Sequence, residues 1–296
     1  MTVNSKRRSL LFVPAIQSHF YKSAFKSEAD ALIFDLEDSI ADTHKNAARH
    51  VLCDHYPKNP PHSQELIIRI NDPQTPYYQE DIRLVNELQP HAVLLPKVET
   101  PDEIRALHNA LNTSAIDDQN QKINIMVLIE SIAGFYNAKD ILRSPHALTA
   151  VAFGAEDIVA EIGIARGNIS NNAILLSMLT EILLVSRMHN LQCIGPITRM
   201  YSQEYLHELE QECQLLKAMN LTGKLAIHPS QISTINRIFN ITSEQIKEAQ
   251  EMISMLEKTQ KTEGTTVIVH KHQMKDKPSY RKALTFLEYA KEHGFL

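Results

Sequence analysis

Glycine is scarce: the 296-residue chain has 8, where average usage of about 7% would give roughly 20. Wide glycine-rich loops are therefore few, and neither a GxGxxG fingerprint nor a P-loop occurs, so nucleotide phosphates have no ready cradle. GxSxG and HExxH are absent too, which leaves serine-hydrolase and zincin chemistry without local support. Cysteine is nearly as rare. Cys53, Cys193 and Cys213 stand far apart with no CxxC, so neither a disulfide framework nor a zinc site is signalled, and reduced cytoplasmic thiols are the simple reading. No apolar run approaches the roughly 20 residues of a membrane span. At the start, Lys6-Arg7-Arg8 precedes the apolar run Leu10–Val13, but Pro14 ends that run too soon for a signal peptide, and a first strand is expected instead. A net charge of -5 and a pI near 6.3 offer no concentrated basic surface, so no nucleic-acid partner is expected. A small anionic ligand held by local basic residues is compatible with that balance.

With 43% hydrophobic and 22% charged residues, the chain can bury a large core. Short β-branched or leucine-rich runs alternate with segments of helical period, the sequence form of repeated βα units. Strands are expected at Ser9–Val13, Ala31–Asp35, Leu66–Ile70, Ala92–Leu95, Ile125–Glu130, Leu148–Phe153, Gln192–Ile194 and Lys224–Ile227. Helical spacing fills 42–53, 79–88, 101–111, 133–142, 171–190 and 202–219. Eight such strands without a nucleotide fingerprint favour a closed (β/α)8 TIM barrel over an open sheet. The barrel domain is assigned to residues 1–240. A C-terminal extension, 241–296, holds a helix at 243–259, a polar stretch 258–264 read as a hinge, a short strand 266–270 and a last helix from Pro278.

Charged residues collect where the strands end, which is the catalytic face of such a barrel. Strand two runs into Asp35, Glu37 and Asp38, strand five into Glu130, and strand six into Glu156 and Asp157. A converging set of carboxylates is a hard oxygen site that suits Mg2+ or Mn2+ and not zinc. Glu130 and Asp157 are the expected direct ligands, with Glu37 and Asp38 binding metal-held water. Arg69 sits inside the apolar run Leu66–Ile70, so its guanidinium needs either a substrate anion or a buried acid as partner. His270 and His272 are spaced along one strand face, but no metal is assigned to them.

The segments RSLLFVPA from Arg8, ALIFDLEDSI from Ala31, LIIRIN from Leu66, AVLLPKVETPDEI from Ala92, LIES from Leu128, AFGAEDI from Ala152 and GKLAIHPSQI from Gly223 span most of residues 8–240. In this order they resemble the citrate lyase beta subunits and the malyl-CoA and citramalyl-CoA lyases of the HpcH/HpaI aldolase superfamily. The resemblance implies Mg2+ on Glu130 and Asp157, its waters on Glu37 and Asp38, and Arg69 against the reacting acyl group. It also implies coenzyme A across the barrel mouth, at Arg8, Lys22 and His228-Pro229-Ser230. Met274-Lys275-Asp276-Lys277-Pro278 looks like the family element in which an aspartate, here Asp276, reaches a neighbouring subunit's site, in a homo-oligomer expected to be a trimer. One departure stands out: Ile194-Gly195-Pro196-Ile197 occupies the place where relatives have an aspartate after the isoleucine. The expected activity is Mg2+-dependent cleavage or formation of a 3-hydroxyacyl-CoA such as citramalyl-, malyl- or citryl-CoA. An aldolase acting on free 2-oxo acids, and a beta subunit active only within a citrate lyase-like complex, are the alternatives.

Overall fold

Eight parallel strands pair in chain order and the eighth returns to the first, closing a barrel. This is a computed structural model that describes residues 6–57, 64–111, 123–144, 147–199, 205–263, 265–270, 273–292 and 294–296. The strands are β1 (Ser9–Pro14), β2 (Ala31–Asp35), β3 (Glu65–Arg69), β4 (Ala92–Leu95), β5 (Asn124–Ile129), β6 (Leu148–Phe153), β7 (Gln192–Gly195) and β8 (Gly223–Ala226). Each lies within one residue of its expected bounds.

Side chains alternate in and out of the barrel with period two. Inward positions form a buried cluster of small and large apolar residues, among them Leu10, Ile33, Ile67, Leu94, Met126, Leu128, Ile194 and Leu225. Outward positions such as Leu32, Phe34, Ile68, Val127 and Val151 join a larger cluster with the helices. Both faces of the sheet are thus buried, which is why these strands read as continuous apolar runs. At the N-terminal ends the inward positions turn polar. Arg7 Nε and Nη2 donate to Glu65 at 2.6 and 2.7 Å, and Nη1 donates to Thr149 Oγ1 and Gln192 Oε1 at 3.1 and 3.0 Å. This buried network fills the lower end of the barrel.

Among the described residues the barrel unit has the α-helices α1 (Tyr21–Lys26), α2 (Lys45–His55), α3 (Tyr78–Leu88), α4 (Pro101–Leu111), α5 (Ile132–Tyr136), α6 (Ala138–Leu142), α7 (Ala155–Ile162), α8 (Ala173–Met188), α9 (Leu206–Ala218) and α10 (Ile232–Phe239). The single helix expected over 133–142 is two short ones, divided at Asn137, whose side-chain amide donates to Glu99 O at 2.9 Å. Backbone contacts group Arg7–Phe239 as one compact unit and Asn240–Leu296 as another. The second unit contains α11 (Ser243–Glu263), an antiparallel pair β9 (Ile268–His270) and β10 (Gln273–Lys275), and α12 (Lys277–Glu292). The hinge expected from residue 258 is instead helix as far as Glu263, because Lys, Gln and Glu are good helix formers. Gly264 and His272 lie outside the described residues. The three cysteines are free, and burial pushes the Cys193 and Cys213 thiols up to about 12. Among the described residues no helix is long and apolar enough to cross a membrane.

Candidate active site

At the C-terminal end of the barrel the same period-two alternation that buries Ile33, Ile67 and Leu128 carries Asp35, Arg69 and Glu130 into the top layer. β2 and β3 are in register with Asp35 opposite Arg69. The carboxylate accepts from Arg69 Nε at 2.6 Å and from Nη2 at 2.8 Å, a two-pronged pair. Arg69 Nη1 lies 3.1 Å from Glu37 Oε2 and 3.5 Å from Asp38 Oδ2, and the guanidinium stacks 4.7 Å from the Phe12 ring centre. Burial alone would raise the Asp35 carboxyl, but Arg69 beside it and the N–H groups of Glu37 and Ser39 hold it down to about 2. Asp35 was visible in the sequence only as one of three acids after strand two. Its function in the structure is to hold the plane of Arg69.

Lys97, just past β4, was likewise unassigned from the sequence. Its ammonium lies 2.8 Å from Glu37 Oε1, 3.6 Å from Asp38 Oδ1 and 3.9 Å from Asp157 Oδ2, while its backbone N–H donates to Glu130 Oε1 at 2.9 Å. Burial pushes the Glu130 carboxyl up to about 8; Arg69 opposes this, and Glu37 and Asp157 add to it. Glu37 and Asp157 are also raised, each by burial first and by the neighbouring Asp38 charge. Asp157 occupies the first turn of α7, where the helix N-terminus favours a carboxylate. Gly154, between β6 and α7, allows the close approach: a Cβ there would lie 2.4 Å from Glu130 Cβ and 2.8 Å from Glu130 Oε2.

Asp35, Asp38, Arg69, Glu130 and Asp157 line a cavity of about 410 Å3 together with the apolar side chains of Phe12, Leu128, Phe153, Ile197, Leu225 and Ile227. A slightly larger hollow of about 440 Å3, lined by Arg105, Asp140 and Arg143 among others, is more open and lies among helices away from the converged acids. The donor set in the barrel fits a hard divalent cation. It is all oxygen, and Glu37 Oε2 is a buried carboxylate oxygen with no partner in hydrogen-bonding geometry. Among the described residues no three acid, histidine or cysteine side chains enclose an ion by themselves. A magnesium ion held here would therefore take one or two carboxylates and keep several waters, as it commonly does.

The other expected site residues separate by rim. Lys22 is exposed on α1, and His228-Pro229-Ser230 opens the turn after β8, with Ser230 N–H donating to His228 Nδ1 at 3.2 Å. Since β1 pairs with β8, these segments are neighbouring turns at the C-terminal rim. Arg8 does not join them. It precedes β1, and its backbone N–H, Nε and Nη2 all donate to Asp30 at 2.8 Å, so the direction of the strand places it at the rim opposite the cavity. The expected contact of Arg8 with coenzyme A is corrected accordingly. Asp276 stands immediately before α12 and caps it, accepting from Ser279 N–H at 3.2 Å and Ser279 Oγ at 3.0 Å.

The Gly195-Pro196 departure is built into the packing. A Cβ at residue 195 would lie 2.6 Å from Leu216 Cδ1. The next three carbonyls are each gripped: Pro196 O by buried Lys224 Nζ, Ile197 O by Arg166 Nη2 at 3.1 Å, and Thr198 O by Gln231 Nε2 at 2.9 Å. The loop thereby presents Ile197 to the cavity.

The profile of the HpcH/HpaI aldolase/citrate lyase family matches residues 8–229. The citrate lyase subunit beta of Leuconostoc mesenteroides subsp. cremoris is 29% identical over 288 residues, covering 96% of this chain and 93% of that protein. The L-malyl-CoA/beta-methylmalyl-CoA lyase of Rhodobacter capsulatus is 27% identical over 306 residues, covering 96% and 94%. A crystal structure of CitE from Mycobacterium tuberculosis, in complex with magnesium, acetoacetate and coenzyme A, superposes with a TM-score of 0.76 at 23% identity, covering 97% of this chain and 99% of that one.

Proposed function

Because the chain belongs to the HpcH/HpaI aldolase/citrate lyase family, whose named relatives include lyases, we propose that it is a Mg2+-dependent carbon–carbon lyase. Its substrate is a 3-hydroxyacyl-CoA thioester of the malyl-, citramalyl- or citryl-CoA kind, cleaved or formed in the cytoplasm. The observation that carries this reading is the meeting of Glu37, Asp38, Glu130 and Asp157 with Arg69 at the open end of one barrel, beside a cavity of about 410 Å3. Glu130 and Asp157 would hold the metal, and Glu37 and Asp38 its waters; the same oxygen set takes Mn2+. When bound, the ion supplies Lewis acidity to the oxygen on which the new carbonyl develops.

The chain's own residues do the rest. In cleavage the substrate hydroxyl gives its proton to a carboxylate of the acid cluster, the adjacent carbon–carbon bond breaks, and its electron pair passes to the carbon alpha to the thioester carbonyl, leaving an enolate. Arg69, held flat by Asp35 and Phe12, offsets that negative charge without having to reorganise. The apolar wall of Phe12, Phe153, Ile197 and Leu225 keeps water away from the enolate. Asp276 of a neighbouring subunit in a homotrimer returns a proton to the enolate carbon. Lys22 and the His228–Ser230 turn receive the coenzyme A portion at the rim.

The test is turnover by the purified chain of malyl-, citramalyl- and citryl-CoA, followed by release of the oxo acid and the shorter acyl-CoA. Activity is expected with Mg2+, to be lost in excess EDTA and restored by added Mg2+. Full activity in EDTA refutes the metal's part. Turnover of free 2-oxo acids but not thioesters favours the aldolase alternative, and activity only with added partner subunits favours a citrate lyase-like complex.

A further inference from the structure

The place a cation would take among the acids is already filled from within the chain. One residue, Lys97, meets all four carboxylates: its ammonium faces Glu37, Asp38 and Asp157 at 2.8, 3.6 and 3.9 Å, and its N–H donates to Glu130. To do so it adopts φ 51°, a left-handed conformation that few residues other than glycine occupy, and one that marks a position over-determined by its surroundings. The two cations of the site differ in freedom. Arg69 is 10% exposed, paired through two bonds with Asp35 and stacked on Phe12, and so is fixed. Lys97 is 36% exposed and ends a flexible stem, with a single close partner in Glu37.

We infer that Lys97 is an internal counter-cation of the metal site: its ammonium holds the acids together in the metal-free protein and leaves them when a divalent ion loads. The inference rests on reading the acid set as a metal site. Two consequences follow from charge alone. The ammonium competes with the ion for Glu37, Asp38 and Asp157, so its removal strengthens metal binding. The ion in turn expels the ammonium, which is then free to pair with an anionic substrate, so that metal precedes substrate in the order of binding.

Mn2+ serves as the probe, with free ion quantified by electron paramagnetic resonance and binding by calorimetry. Lys97→Met, which keeps the length of the stem, is expected to lower the Mn2+ dissociation constant at least tenfold and to lower the melting temperature of the metal-free protein. An unchanged or raised dissociation constant overturns the inference. A second measurement uses the wild-type protein and needs no variant to fold: trace acetylation of Lys97, read by peptide mass spectrometry, should speed up severalfold when Mn2+ is added. Mn2+ binding with unaltered or slower Lys97 acetylation also overturns the inference, while leaving the metal reading intact. A wild-type protein and a variant that both fail to bind millimolar Mn2+ overturn the metal reading and, with it, the assignment of Lys97.

Discussion

Replacing Glu130 by glutamine tests the electrostatics of the site without invoking turnover. Burial, opposed by Arg69 and reinforced by Glu37 and Asp157, moves this carboxyl from 4.5 to about 8. A raised carboxyl favours the neutral form in the folded chain, so its contribution to stability is complete below pH 4.5 and is lost as pH rises through about 8. At about 1.4 kcal/mol for each tenfold, wild-type protein should lose about 4 kcal/mol relative to Glu130→Gln between pH 5 and pH 9. The glutamine mimics the protonated acid and can still accept the Lys97 N–H, so other titrations largely cancel in the comparison. The assay is urea unfolding of both proteins at the two pH values, in EDTA and again with Mg2+. Without metal the variant should be the more stable protein at pH 9, with little difference at pH 5. Mg2+ should offset the wild-type loss and stabilise the variant less, because the variant's metal affinity should be weaker by about tenfold or more. A stability difference independent of pH would refute the argument that Glu130 is a buried, metal-seeking carboxylate.

Arg69→Lys keeps the charge but cannot make both bonds to Asp35. Steady-state kinetics should show kcat/KM reduced about a hundredfold, and denaturation a stability loss of about 2 kcal/mol from the lost charged hydrogen bond; a stability loss with unchanged kinetics would make Arg69 purely structural. Asp276→Asn separates the two tasks proposed for that residue, because asparagine caps a helix as well as aspartate does. Catalysis should disappear while the melting temperature and metal binding hold, and mixing these inactive subunits with inactive Glu130→Gln subunits should restore activity once chains exchange. No recovery despite demonstrated exchange would mean that Asp276 does not serve a neighbour's site.

Much of the fold was legible because the barrel's physics is local. A strand buried on both faces is a short continuous apolar run, and each of the eight was bounded to within a residue. The polar residues that end such runs had to lie at the catalytic rim, so Glu130, Asp157, Glu37, Asp38 and Arg69 could be named before any contact was known. Two expectations failed for different reasons, one taken from the family resemblance and one from composition. Arg8 was placed at the mouth although it precedes its strand, and a polar stretch was read as a hinge although its residues favour helix. What sequence could not decide is which charge meets which. Asp35 and Arg69 are 34 positions apart and become partners only through the β2–β3 register, and Arg7 finds Glu65, Thr149 and Gln192 only when the barrel closes. Lys97 is the clearest case. A lysine after a strand is ordinary in sequence, and only a left-handed backbone at the meeting point of four acids turns it into a second cation of the site beside Arg69. Local pattern specifies where polar groups must surface; the pairing of charges across a barrel is a non-local property, set by strand register and closure.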